Sequence, residues 1–331
     1  GNPTKLPSFD DLAEEIAGNS GIERDKNDPC DIFLGKIKSN NINVNKIAAE
    51  KLSESKLQHN KLHEYIIRLF GENQVVRIVT TNYDQMLEQA SKCIGRKVKV
   101  FNSPALSLGN DIDGIVHIHG NVDDPEHMVL TDSDFGNAYM VEGYASRFLS
   151  EIFKNYTVLF VGYSYNDVIV RYLTRAIVKN DDFNKYILID QPSVEWQYLG
   201  IKPIIFPKED YDTLYGVIDY LGKLVNRKPS EWKELLVGYD VPPSDSELAS
   251  ELEYCLEDKN RRRLFSEIVH GEEWLWWLDQ HNVFDNIFSN SDTIINDDSI
   301  WIDWIIDNFA CCPNQVIQNI IIKHNGMYNK N

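Results

Sequence analysis

The sequence has few cysteines and no long apolar run, which argues against a disulfide-rich protein and against a membrane-spanning one. The five cysteines show no C-x-x-C motif and no paired spacing, a pattern typical of reduced thiols rather than of a disulfide framework. No apolar stretch reaches the roughly 18 residues that a membrane-spanning helix needs, and no signal-peptide pattern opens the chain. We therefore expect a soluble, cytoplasmic protein with no membrane partner.

Positive charge is also scarce. The chain carries 33 lysines and arginines against 51 aspartates and glutamates, so its formal net charge is −18 at pH 7. Such an acidic chain is a poor match for nucleic acid or for an anionic membrane surface. A small phosphate-bearing ligand is still compatible with it, because helix N-termini and backbone amides bind phosphate locally.

Residues 75–88 have the pattern of a buried strand that turns into a helix. The β-branched run at 75–79 predicts a strand buried on both faces, and the apolar residues of 86–90 predict the helix. Between them lies the sequence Thr80-Thr81-Asn82-Tyr83-Asp84. In an open parallel sheet ligands bind beyond the carboxyl ends of the strands, so these residues are candidates for a binding site. The alternative is that Asn82 and Asp84 only cap the helix.

Two histidines lie near the end of another predicted strand, in the sequence Gly114-Ile115-Val116-His117-Ile118-His119-Gly120. Strand alternation places Ile115, His117 and His119 on one side of the sheet. His119 directly precedes a glycine at the strand's end, which favours a functional role, and His117 lies deeper, which favours packing. A third histidine, His63, lies beside the apolar face of a helix predicted over 62–70, and we interpret it as a packed or surface residue.

The chain is large enough for one large domain or two, with 331 residues that are 43% hydrophobic and 11% aromatic. Apolar runs that alternate with helical patterns predict a doubly wound parallel sheet. One of these runs ends in Gly162-Tyr163-Ser164 before a helix predicted over 167–177, an arrangement that can bind an anion, although the motif alone is weak. The predicted strands are residues 75–79, 97–101, 115–118, 128–131, 157–161, 185–189 and 204–206.

The two ends of the chain differ from this pattern. Ser8 has the position of an N-cap for a helix at 10–17, and residues 18–60 are a polar, partly helical insert. Beyond a linker at 241–244 the chain is helical, acidic and rich in tryptophan. The spacing of Trp274 and Trp277 recurs at Trp301 and Trp304, which indicates two related helical hairpins whose tryptophans form a core rather than a binding surface.

Short motifs follow three of the predicted strands in a fixed order. Thr80-Thr81-Asn82-Tyr83-Asp84, Ile118-His119-Gly120 and Gly162-Tyr163-Ser164 resemble the T-x-N-x-D, H-G and G-x-S motifs of the sirtuin (SIR2) superfamily. Leu6-Pro7-Ser8-Phe9 is similar to the tail of the family's first motif, whose G-A-G-x-S head would lie upstream. The residues in and around these motifs are similar to those of bacterial SIR2-like anti-phage defence proteins.

The resemblance implies a Rossmann-like α/β fold with an NAD-binding hydrolase domain over residues 1–225. It implies that residues 226–331 begin a longer helical extension. It also implies that the chain starts after the family's first strand and glycine-rich loop. We therefore expect an exposed sheet edge or gap beside the strand that ends at Asn82, unless another segment fills it.

The same resemblance implies which residues act. Deacylating sirtuins carry a four-cysteine zinc module after H-G, whereas residues 121–139 contain no cysteine, which points to NAD hydrolysis with no metal. Asn82 and His119 match the catalytic positions: the amide would orient water or ribose, and the imidazole would act as a general base toward water or a ribose hydroxyl. The matched NAD-binding positions are Pro7, Phe9, Thr81, Asp84, Gly162 and Ser164.

Two other functions are compatible with the sequence. A non-catalytic module could sense NAD or ADP-ribose and signal through the helical region, and a protein deacylase is a distant third. Intact Asn82 and His119 favour the enzyme, because a pure binder needs neither. The partners we expect are NAD⁺, further copies of the chain in a homo-oligomer, and a phage or regulatory protein at the C-terminal helices.

Overall fold

The computed structural model describes residues 6–18, 20–25, 28–54, 58–72, 74–106, 111–163, 185–191, 196, 199–281, 283, 299–309 and 312–328. Contacts divide the chain into two compact units, Gly1–Asn226 and Arg227–Asn331. That the first unit is the NAD-binding hydrolase domain and the second the start of a helical extension stays a prediction. Within the described ranges, no helix has the length and apolar character needed to cross a membrane.

The first unit opens with three helices that share one apolar cluster: α1 (Phe9–Ala17), α2 (Cys30–Ser39) and α3 (Val44–Glu54). The predicted cap of α1 is confirmed. Ser8 Oγ accepts from the backbone N–H of Asp11 at 3.1 Å, and the Asp11 carboxylate accepts from the N–H of Ser8 at 3.1 Å. This reciprocal pair satisfies two N–H groups at the start of the helix.

The next elements form a three-stranded parallel sheet. Helix α4 (Lys61–Arg68) leads into β1 (Arg77–Thr80), and α5 (Met86–Cys93) leads to β2 (Val100–Asn102) and β3 (Gly114–His117). The strand order is β1-β3-β2, and Ile78 of β1 lies opposite Ile115 of β3. All four residues of β3 are buried, because it is the central strand and both of its faces are covered.

The segment after β3 differs from its prediction. No strand forms at 128–131, because these residues bond to loops: Val129 N–H donates to the carbonyl of His119 at 2.9 Å, and the Tyr83 hydroxyl donates to the carbonyl of Val129 at 2.7 Å. Helix α6 (Asp132–Gly136) continues as a short π-helix, and α7 (Tyr144–Asn155) starts afresh after Gly143, whose φ of 63° is left-handed.

A second parallel sheet completes the first unit. It has the order β4-β5-β6, with β4 at Val158–Phe160, β5 at Lys185–Ile189 and β6 at Lys202–Ile205, and α8 (Tyr211–Val225) follows. The α/β class is therefore confirmed. In the described residues the strands form two sheets rather than one, so the continuous doubly wound sheet stays a prediction. The helix predicted at 167–177 lies outside the described residues.

The second unit is helical where it is described, and tryptophans lie in its core. Trp274 and Trp304 are buried, and their indole N–H groups donate to the carbonyls of Asp240 at 3.2 Å and Val269 at 2.7 Å. The core role predicted for these tryptophans is confirmed. The helices are α9 (Pro229–Val237), α10 (Ser246–Glu257), α11 (Lys259–Ile268), α12 (Glu272–Gln280), α13 (Ser299–Phe309) and α14 (Asn314–Tyr328).

Candidate active site

The segment that follows β1 is fixed by hydrogen bonds near both of its ends. The backbone N–H of Asn82 donates to Thr80 Oγ1 at 3.0 Å, and the N–H of Met86 donates to Asp84 Oδ1 at 2.9 Å. Asp84 thus accepts from the first N–H of α5, although the N-cap residue itself is Gln85, so it makes part of the capping contact that was one of the two roles weighed for it. Its contact with a ribose stays a prediction. Asn82 is exposed at the carboxyl end of the strand.

A buried histidine holds the backbone of this segment. His117 is fully buried, and its Nδ1 lies 3.0 Å from the carbonyl oxygen of Asn82. A carbonyl only accepts, so Nδ1 carries the proton and donates. On the other side of the ring, Nε2 lies 2.6 Å from Oε1 of Glu88 on α5. His117 is therefore more than the packing residue that the sequence predicted: it links β3, α5 and the segment after β1.

The surroundings of His117 favour its protonated form. Burial by itself would lower the pKa of His117, but the hydrogen bond and negative charge of Glu88 and the carbonyl of Asn82 outweigh burial, so the pKa lies above its ordinary value of 6.5. Glu88 was not identified from the sequence. The only available signal was a histidine in a fully buried strand, which requires a polar partner without identifying it.

His119 lies in a separate aromatic environment. Its Nε2 is 2.7 Å from the Tyr139 hydroxyl, its ring meets Phe135 edge to face at 5.3 Å, and only 3% of it is exposed. The prediction that His119 shares a side with His117 is wrong. The strand ends at His117 and the chain turns, so His119 leaves the strand alternation. Gly120 makes this turn with a φ of 75°, and a Cβ there would lie 2.8 Å from a backbone oxygen.

A cavity of about 770 Å³ extends between the two sheets. We call it the inter-sheet slot: β1 and β4 line its two edges, α4 and α7 cover it, and Thr81, Asn82, Asp84 and Gly162 line its carboxyl end. Gly162 has a φ of 64°, and no atom of the described residues lies within 4 Å of its added Cβ position, so these residues leave its backbone accessible to a ligand. The gap predicted beside the strand ending at Asn82 is thus present.

The structure brings together some of the predicted site residues but not all of them. Thr81, Asn82, Asp84 and Gly162 line one cavity, whereas His119 lies outside its lining. The predicted NAD-binding residue Ser164 lies outside the described residues. The other two, Pro7 and Phe9, are half-buried, and Phe9 packs on the apolar cluster of α1 to α3 rather than in the slot lining.

His63 lines the slot and is a second histidine to which sequence reasoning assigned no functional role, since it was interpreted as a packed or surface residue. The backbone N–H of Asn60 donates to His63 Nδ1 at 3.2 Å, so His63 also closes the N-terminal cap of α4. Burial lowers the pKa of His63 below its ordinary value, although the nearby charge of Asp84 opposes this shift. The neutral form of His63 is therefore favoured, with Nδ1 as the nitrogen that accepts from the Asn60 N–H.

One group of side chains in the described part of the chain could hold a metal ion. His59, Glu64 and Cys93 each offer a ligand atom, and these atoms lie within 4.8 Å of one another. His59 Nε2 already lies 3.2 Å from Glu64 Oε1, so a hydrogen bond between these two side chains accounts for much of the arrangement. The group contains one cysteine and is not the four-cysteine module of deacylating sirtuins. The absence of a metal stays a prediction.

Comparison with known proteins finds a similarity over the range of the chain that contains the three motifs. Residues 76–204 match the model of the SIR2-like domain. The uncharacterized protein y4cA of Sinorhizobium fredii is 29% identical over 204 residues, which make up 53% of this chain but only 17% of that protein. This chain therefore spans less than a fifth of the relative's length. SIR2-like domains are typically NAD-dependent enzymes. The similarity to the SIR2-like domain therefore lies in residues 76–204.

Proposed function

We propose that this protein hydrolyses NAD⁺ at the bond between nicotinamide and ribose. Water replaces nicotinamide at the ribose carbon, nicotinamide leaves as a neutral base, and the proton of the water is released. The observation that carries the proposal is Asn82, exposed at the carboxyl end of β1 and held at its backbone by the buried His117–Glu88 pair. A site that orients water or ribose requires an amide side chain whose backbone is held in place.

The positive charge that develops on the ribose during this reaction is compatible with a neutral amide in the site. Cleavage passes through a ribose with oxocarbenium character, as in glycoside hydrolysis generally. A neutral amide can orient the water or the ribose hydroxyls without adding a fixed charge. Nearby, the carboxylate of Asp84 is partly engaged with the N–H of Met86, and its other oxygen could accept from a ribose hydroxyl.

The binding of the pyrophosphate depends on backbone amides rather than on cations. Among the described residues that line the slot, Arg77 is the single lysine or arginine, and it lies at the amino end of β1, away from Asn82. Its guanidinium stacks over the Tyr156 ring at 5.5 Å. The accessible backbone at Gly162 is the element of the described site that fits phosphate oxygens.

The general base that we assign is His119. In the described structure its Nε2 lies 2.7 Å from the Tyr139 hydroxyl, a contact that fixes the orientation of the ring. If Nε2 donates to Tyr139, Nδ1 is the unprotonated nitrogen and can accept the proton.

The experiment that tests the function is a product analysis. The full-length protein is incubated with NAD⁺, and nicotinamide, ADP-ribose, cyclic ADP-ribose and remaining NAD⁺ are separated by chromatography. Hydrolysis predicts nicotinamide and a ribosyl product in equal amounts without any acylated peptide. A parallel incubation with an acetylated peptide tests the deacylase alternative, which predicts nicotinamide release only when that peptide is present.

One observation favours a second candidate, a non-catalytic sensor of NAD or ADP-ribose. His119 is enclosed by Phe135 and Tyr139 and does not line the slot, as would suit a residue that only stabilises the fold. A sensor predicts saturable binding of NAD⁺ by calorimetry without release of nicotinamide. The hydrolase predicts that NAD⁺ binds and that nicotinamide is released.

We also propose that the activity serves anti-phage defence by depleting NAD, in a homo-oligomer controlled through the C-terminal helices. The support is the similarity of the motifs to those of bacterial SIR2-like defence proteins. In cells that express the full-length protein, NAD should fall during phage infection, and an Asn82→Ala variant should leave both NAD and plaque number as in cells without the protein. Equal protection by the variant would contradict this role.

A further inference from the structure

Three side chains of different chemistry meet where α4 begins and α5 ends. His59 lies in the loop before α4, Glu64 lies in the first turn of α4, and Cys93 is the last residue of α5. One atom of each side chain, an imidazole nitrogen, a carboxylate oxygen or the sulfur, lies within 4.8 Å of the other two. These are the three types of atom that bind Zn²⁺ in proteins. We call this group of three residues the α4–α5 cluster.

Two members of the cluster already have the separation of two ligands on one ion. His59 Nε2 lies 3.2 Å from Glu64 Oε1. Tetrahedral Zn²⁺ binds nitrogen and oxygen at about 2.0–2.2 Å, which places two such ligand atoms about 3.4 Å apart. A sulfur bound at about 2.3 Å lies about 3.6 Å from each of them. Cys93 Sγ therefore has to approach by about 1 Å, and Cys93 is exposed at the end of its helix, where its side chain can rotate.

Neighbouring side chains orient two of these groups. The second oxygen of the Glu64 carboxylate, Oε2, lies 3.8 Å from a guanidinium nitrogen of Arg68, so Oε1 is the oxygen directed toward His59. The backbone N–H of His59 donates to Oε1 of Gln89 at 3.4 Å, which ties the loop before α4 to the helix that carries Cys93. Contacts of this kind, made behind the ligands, orient metal-binding side chains and raise their affinity.

We propose that His59, Glu64 and Cys93 bind one divalent transition-metal ion of the zinc class, with water at the fourth position. Thiolate and imidazole ligands select such an ion over Mg²⁺ and Ca²⁺, which take oxygen ligands. The Cys93 thiol releases its proton to solvent and a sulfur–metal bond forms, with no change of oxidation state. A carboxylate only accepts, so His59 Nε2 carries a proton in the described structure. The ion replaces that proton, and the neutral imidazole keeps one proton at Nδ1.

The α4–α5 cluster differs from a structural zinc site, which is closed by four protein ligands. Among the described residues it offers three, and Cys93 is exposed, so the ion enters from solution and leaves again. Protein purified without added metal is therefore expected to contain little zinc and to take up the ion when it is supplied. Helix α4 lines the inter-sheet slot, and α5 begins just after Asp84 at the carboxyl end of the slot. The bound ion stabilises this helix pair, because it binds the folded arrangement better than the unfolded chain.

A cobalt titration tests the proposal, because Co²⁺ bound at a tetrahedral site with a thiolate has visible d–d bands and a thiolate charge-transfer band. Both should saturate at one Co²⁺ per chain, and Zn²⁺ but not excess Mg²⁺ should abolish them. Cys93→Ser should lose the charge-transfer band. His59→Gln should weaken binding at least about 100-fold, since loss of an outer partner alone costs about 10–100-fold. His127→Gln, at an exposed histidine that pairs with Asp124 at 2.7 Å, is the matched control and should keep the spectrum and the affinity.

Thermal melts give a second measurement on the same variants. Added Zn²⁺ should raise the Tm of the parent and of His127→Gln but not that of Cys93→Ser, with circular dichroism as the control for folding. Neither measurement uses NAD⁺, so both results are independent of the proposed hydrolase activity. A cobalt spectrum without a thiolate band, or a thiolate band that Cys93→Ser retains, would overturn the proposal. So would saturation at one ion per two chains, which would indicate a bridge between copies.

Discussion

His117 Nδ1 lies 3.0 Å from the carbonyl oxygen of Asn82, so the side chain at the end of β3 fixes the backbone just beyond the end of β1. Glu88 holds the other ring nitrogen at 2.6 Å, which fixes the orientation of the imidazole. The three residues come from different elements and are 6 to 35 positions apart in sequence. The buried His117–Glu88 pair thus fixes the backbone that carries the exposed side chain of Asn82, as a positioned reactive group requires.

The first prediction concerns the stability that this pair provides. His117→Ala should lower the free energy of unfolding by about 3 kcal/mol, because it leaves the Glu88 carboxylate buried without its partner. The buried Glu88 Oε2 already has no hydrogen bond in the described structure, so Glu88 depends on His117. Urea denaturation measures the effect. His127→Ala, at an exposed histidine paired with Asp124, is the control and should cost less than about 1 kcal/mol.

The second prediction is the pH dependence of the same pair. The pKa of His117 is raised in the folded protein, so its stabilising contribution is complete below the ordinary value of 6.5 and is lost as pH rises through the folded pKa. The difference in Tm between the parent and His117→Gln should therefore be larger at about pH 6 than at about pH 9. Glu88→Gln, which removes the negative charge, should reduce this pH dependence. A difference in Tm that does not vary with pH would show that the charge of the pair does not matter.

The third prediction compares the contributions of His119 and His63 to NAD hydrolysis. His119→Ala should lower NAD hydrolysis by at least about 100-fold, the usual scale for an acid–base group. His63→Ala should change it by less than about tenfold, although His63 lines the slot and its neutral form is favoured. Rates are compared in the full-length protein, with circular dichroism as the control for folding. The opposite ranking would transfer the role of base from His119 to His63.

The fourth prediction concerns zinc. Purified protein should contain well under one zinc per chain by metal analysis, and a chelator should leave its Tm unchanged. If zinc is found in stoichiometric amount, Cys93→Ser decides its location: loss of the metal would assign it to the group of His59, Glu64 and Cys93. Retention of the metal by that variant would point to ligands outside this group and would revive the deacylase function.

Elements set by local chemistry could be predicted from the sequence. The strand at 185–189 was predicted with the observed bounds, the helix at 10–17 was predicted to within one residue, and Ser8 was identified as its cap. In each case the signal lies within a few residues: a β-branched run, an apolar period, or a serine followed three residues later by an aspartate.

The candidate site could be predicted only in part, because its contacts are made between distant residues. Strand alternation put His119 beside His117, but alternation holds only while the strand continues, and β3 ends at His117. The turn at Gly120 and the Val129–His119 hydrogen bond then direct the imidazole toward Tyr139. The Glu88–His117 contact joins residues 29 positions apart, and no local pattern encodes it.

The most direct test of the central claim is nicotinamide release from NAD⁺ by the full-length protein and by its Asn82→Ala variant. Asn319→Ala, at an exposed asparagine in the second unit, is the matched control. The account predicts release by the parent and by the control at similar rates, and release at least about 100-fold slower by Asn82→Ala, with the Tm of all three little changed. Near-parental release by Asn82→Ala, or no release by the parent at any NAD⁺ concentration that saturates binding, would contradict it.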